Sequence, residues 1–265
     1  MLDSYQNKCY KNTSLKQVIF RIDFPEPVPN EKILINGIDD IVKEYFPITE
    51  KDTVKFYNKL SFEANAETGN VQGATNRFEG VERTFCDSTK RNKVTFSNDS
   101  IVFTYNRYES FDKMFESIED ILNNLLRNNK ILAVRTGLRY VNLYNSSPID
   151  FKTTKNMFSN KLSKIMVPSL IKTLKNLEPI RSILTTEYVY NDIKVIYRAG
   201  QYNQFYPTPI IKDDFALDID CFTNNSMDSA EDFCGFISKA HFFIQFLFEQ
   251  SIGDKMREVM NNAKW

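Results

Sequence analysis

Histidine and tryptophan each occur once in the 265 residues, cysteine four times, glycine eight times and proline nine times. Each scarcity excludes something. His241, with Cys9, Cys86, Cys221 and Cys234 far apart and never in a CxxC pair, supplies no closed ligand set for structural zinc. Free, partly buried thiols of a reducing compartment are the expectation. Little glycine and proline, with 42% hydrophobic residues, argues against disorder. Charge of one sign is also missing: 34 basic and 34 acidic residues cancel, so no overall field draws the chain to nucleic acid or anionic lipid. The longest apolar run, HFFIQFLF at 241–248, is interrupted by Gln245 and too short to span a bilayer, and MLDSYQNKCYKNTSLK at the start has no apolar signal region. A soluble, cytoplasmic protein with no membrane partner is expected. No GxSxG, Walker or GxGxxG motif occurs, so neither a cofactor nor a catalytic residue is assigned.

What is present is aromatic and periodic: 22 Phe and 13 Tyr, in a chain long enough to bury about three quarters of its unfolded surface. Residues 15–24 alternate, with Val18, Phe20, Ile22 and Phe24 on one face, and stop at PEPVPN. Helical spacing follows in EKILINGIDDIVKEYF, then strand-like runs over 54–66, 76–87 and 93–105, the last split by the hairpin tip SNDS. A long amphipathic helix opens at Ser110. After a strand at 132–144 the order repeats: a helical region over 155–177 broken at Pro168, strands over 182–190, 193–201 and 213–222, and a helix over 229–250 extended by Ile252 and Met256. This predicts an α+β protein of two related halves, 1–130 and 131–265, each β-α-β-β-β-α with an antiparallel sheet covered by a long helix.

Four features carry candidate chemistry. In VRTGLRYVNLY, period-two alternation puts Arg135 and Arg139 on one strand face around Gly137, an anion site or an interdomain contact that also includes Asn142. In ALDIDCF, Asp218 and Asp220 share a face and offer a metal site, although ordinary alternation equally predicts a solvated face or partners for the two arginines. His241 lies in a helix stripe with Phe233, Ile237, Ile244 and Phe248 and reads as hydrogen-bonded core packing rather than a general base. Tyr202, Phe205 and Tyr206 ahead of PTP read as an interface, a base-stacking loop or a packed structural loop, and the glycine-containing stretch 63–80 as a binding loop or a long hairpin connection.

The residues Arg135, Gly137, Leu138, Arg139, Tyr140 and Asn142, the LDID strand 217–220, and His241 with FEQSIGDKMRE at 248–258 resemble an uncharacterised, sporadically distributed family of bacterial proteins of similar length. Its members carry a central R-x-G-L-R-Y-x-N strand and an F-E-x-S-I-x-D-K-L-R ending. Gly253 and Met256 stand here where Thr and Leu are usual. The resemblance implies an accessory protein of mobile or antiviral-defence gene clusters. The expected function is therefore non-catalytic binding of a partner protein encoded nearby. The alternatives are a metal-dependent nuclease or phosphodiesterase using Asp218 and Asp220, and a nucleic-acid or nucleotide binder using Arg135 and Arg139. The oligomeric state is left open.

Overall fold

A computed structural model describes residues 9–11, 13–26, 38–64, 71–128, 131–145, 157–166, 182–201 and 214–262. In chain order the elements are β1 (Leu15–Asp23), α1 (Ile38–Tyr45), β2 (Ile48–Thr49), β3 (Thr53–Ala64), β4 (Val71–Cys86), β5 (Asn92–Phe96), β6 (Ser100–Tyr105), α2 (Phe111–Asn128), β7 (Arg135–Asn145), α3 (Asn160–Met166), β8 (Ser182–Tyr190), β9 (Ile193–Gln201), β10 (Asp214–Thr223), α4 (Ala230–Ser251) and α5 (Asp254–Asn262). The fold is α+β. Where two sheets are expected from the sequence, there is one antiparallel sheet in the order β2-β4-β5-β6-β1-β7-β10-β9-β8, with β3 paired to β4. The physical reason is that β1 and β7 are both apolar strands and pair with each other, Val18 opposite Tyr140 and Phe20 opposite Leu138.

Alternation decides which face each strand buries. Val18, Phe20 and Ile22 of β1, Leu138 and Tyr140 of β7, and Leu217, Ile219 and Cys221 of β10 all lie on the helix-covered face. From α2 the stripe Met114, Ile118, Ile121, Leu122 and Leu125 joins them, and from α4 Phe233, Phe236, Ile237, Ala240 and Ile244. Both long helices start on serine caps: Ser110 Oγ accepts from the Lys113 N–H, and Ser229 Oγ from the Asp232 N–H.

Three expectations need correction. Residues 71–80 are not a loop but the first part of β4, which pairs with β3 over twelve positions beyond its pairing with β5. Ile252 and Met256 do not continue α4: with Met260 they are buried, because the chain breaks at Ile252–Gly253 and α5 folds back on the core. Gly253 permits this, since a Cβ there would meet the Phe158 carbonyl oxygen at 3.0 Å. Phe248 is half-buried rather than core, and pairs at its outer side with Tyr10. Tyr202, Phe205, Tyr206 and the break at Pro168 lie outside the described residues. Cys86 and Cys221 are buried, Cys9 is exposed, and all four cysteines are free. Among the described residues no helix is long and apolar enough to cross a membrane.

Candidate functional site

The face of the sheet opposite the helices carries the two arginines of β7. Arg139 grips Asp218 through two bonds, Nε to Oδ1 at 2.8 Å and Nη2 to Oδ2 at 2.7 Å. Arg198 of β9 adds a third to the same carboxylate at 3.1 Å. Arg135 bonds Asp23 of β1 at 3.1 Å and stands 3.9 Å from Asp220. Its guanidinium also lies 4.7 Å over the Phe222 ring, alongside the space left by Gly137. Arg21 bonds Asp23 at 2.6 Å. The β1, β7, β10 and β9 registers dictate this lattice, because same-face residues on adjacent antiparallel strands meet within reach of long side chains.

The network is close to neutral, four arginines against three aspartates, with one positive charge in excess. Asp218 is only 10% exposed and already accepts from two guanidiniums, so a hard cation would have to displace them. Burial raises the Asp220 carboxyl above its ordinary range, with Arg135 and then Arg139 working against the shift. Among the described residues no three His, Cys, Asp or Glu side chains converge, and Asp218 and Asp220 are placed as partners of arginines rather than as a metal pair. Asn142 belongs elsewhere. It sits three residues from Arg139, hence on the opposite face, buried, where its amide accepts from Ser14 Oγ at 3.1 Å and donates to the Leu217 carbonyl at 3.3 Å.

A second constellation lies across the sheet, where α2 and α4 meet over β7. A cavity of about 310 Å³ opens there, walled by Tyr10, Tyr108, Phe111, Tyr140, His241 and Phe248. His241 does more than pack. Its ring stacks on Phe111 at 3.9 Å with 9° between planes, and its Nδ1 is 3.0 Å from the Tyr140 hydroxyl, which in turn reaches the Tyr108 hydroxyl at 3.3 Å. Burial lowers the imidazole pKa to about 4, with the Asp112 carboxylate opposing, so the ring is neutral at pH 7. Burial likewise pushes the Tyr140 phenol well above its ordinary range. At the cavity's other end Glu249, 2% exposed, accepts from the Tyr10 hydroxyl at 2.6 Å and from Arg257 at 3.1 Å.

His241 and Phe248 stand out in the sequence, but no local pattern joins them to Tyr10, Tyr108 and Phe111. The signal that could have done so is the placement of Tyr108 and Phe111 around the Ser110 cap, which carries two rings to the start of a helix rather than along its buried stripe. Comparison with protein-family models and with curated proteins found no match.

Proposed function

We propose that this protein is a non-catalytic accessory protein that binds a partner protein, in a bacterial defence or mobile-element setting, by accepting an extended segment of that partner on the outer edge of β8. The observation that carries the reading is the state of that edge. β8 pairs with β9 over nine uninterrupted positions, and among the described residues no strand pairs with its other side. Edge strands are ordinarily blunted by lysine, proline, a bulge or brevity. SILTTEYVY has none of these and one charge, Glu187, although α3 packs against part of the strand. Val189 is 72% exposed, Tyr190 58%, Tyr188 47% and Ile183 37%. A long, regular, apolar edge presents main-chain donors and acceptors together with alternating side-chain pockets, the combination that strand addition uses.

The setting rests on the resemblance carried by the β7 and C-terminal motifs. The same reading takes the chain as two copies of one β-α-β-β-β-α unit, 1–130 and 131–265. The symmetry of the sheet supports it: outward from β1 lie β6, β5 and β4, and outward from β7 lie β10, β9 and β8.

The test is a pull-down from native extract with the wild-type protein and with the double variant Ile183→Lys, Val189→Lys. A stoichiometric partner recovered by the first and lost by the second, at unchanged melting temperature, is the expected result. Recovery of the protein alone, or of a partner that the double variant retains, overturns the reading.

A further inference from the structure

We infer that the cavity between α2, α4 and β7 is a binding site for a small organic cation, a primary or quaternary amine held among aromatic rings. The inference is independent of the β8 edge.

The walls are three ring pairs. Tyr108 meets Tyr140 edge-on with centroids 5.6 Å apart, Phe111 stacks on His241 at 3.9 Å, and Tyr10 meets Phe248 at 6.3 Å. Six rings around one space of about 310 Å³ form an unusual lining for a void, since a simple packing gap in a core is closed by flexible aliphatic side chains. The size is at the lower end of ligand cavities and suits a small molecule. Ring faces carry negative potential, and a cation placed against them is attracted, more strongly once it leaves water.

The charges facing the space are mostly negative. Glu109, Asp112 and Glu249 line it, against Lys11 as its one cationic lining residue among those described. Glu249 is compensated by Arg257 at 3.1 Å, and Glu109 by Lys113 at 2.6 Å. Asp112 makes no ion pair among the described residues and stands close enough to the His241 ring to act on its protonation. It therefore supplies the uncompensated carboxylate that an ammonium group would face. Among the described residues no arginine lines the cavity. His241 is the group whose protonation would repel a cation, and burial keeps it neutral at pH 7.

Choline and butylamine serve as probes, with the uncharged carbon isostere of choline as control, measured by titration calorimetry and ligand-observed NMR on the full chain. At least one ammonium probe should bind saturably, and the isostere about tenfold more weakly than choline. Asp112→Asn changes an exposed side chain and keeps the fold, yet should weaken binding several-fold. Phe111→Leu should weaken it about tenfold, its folding checked by melting temperature. Three outcomes overturn the assignment: no saturable binding of either ammonium probe, equal affinity for the isostere, or wild-type binding in Asp112→Asn.

Discussion

Helix α4 offers a paired substitution that separates core from cavity wall. Phe233 and Phe248 lie fifteen positions apart on the same helix and carry the same side chain, yet Phe233 is 1% exposed and enclosed by the sheet, whereas Phe248 is half-buried and faces a space already empty. Truncating an enclosed Phe to Ala removes the full transfer free energy and leaves a closed void, about 3–5 kcal/mol. At Phe248 only the covered part of the ring contributes, and the vacated volume merges with a cavity open to water, so the cost falls to roughly 1–2 kcal/mol. For a chain of this size each kcal/mol displaces the melting temperature by roughly 2–4 °C. Phe233→Ala should therefore melt about 6–20 °C below wild type and Phe248→Ala about 2–8 °C below, both read by circular dichroism at matched protein concentration. Equal losses, or a larger loss at Phe248, would refute the assignment of Phe248 to a cavity wall.

Further expectations concern other parts of the molecule. His241 is neutral in the folded chain down to a pKa of about 4 and titrates near 6.5 when unfolded, so between those values the unfolded state binds more protons. Its contribution is present above pH 6.5 and is lost as pH falls toward 4; the melting temperature of His241→Gln should decline less steeply across that window than that of wild type. Asp218→Asn breaks the two-point grip of Arg139, which is 40% exposed, and should cost roughly 1–2 kcal/mol in urea unfolding. Added Mg²⁺ or Mn²⁺ should leave the melting temperature of wild type and of this variant unchanged; a rise in wild type alone would restore the metal reading of Asp218 and Asp220. Gly253→Ala places a methyl 3.0 Å from a backbone oxygen and should lower stability by about 1–3 kcal/mol, measured the same way, with no effect on choline binding.

Local pattern in the sequence carried most of the elements. The alternation of 15–24 and 132–144, the serine caps at 110 and 229, and the turn at Asn191, whose φ of 53° is the left-handed value a tight hairpin requires, each depend on a few neighbouring residues and are legible from them. The pairing of β1 with β7 was not legible, because strand partners are chosen by tertiary packing and either strand could equally have ended its own sheet. The same limit applies to the sites. Arg139 and Asp218 could be matched as opposite charges on facing strands. By contrast only sequence proximity groups Asn142 with the arginines, and an odd spacing of three sends it to the other face. The aromatic cavity draws on four separated stretches of chain, and no spacing rule joins Tyr10 to Tyr108, Tyr140 and Phe248.

The central position of β1 has a consequence during synthesis. β1 leaves the ribosome before either neighbour, finds β6 on one side once residue 105 has emerged, and then keeps its second edge bare until β7 has emerged to residue 145. At ordinary elongation speeds that delay is roughly 2–8 s. Throughout it Val18, Phe20 and Ile22 stand in an unfinished core beside an open row of backbone groups. A released fragment ending at residue 130 should accordingly recruit holdase chaperones or precipitate, and one ending at residue 145 should do so less.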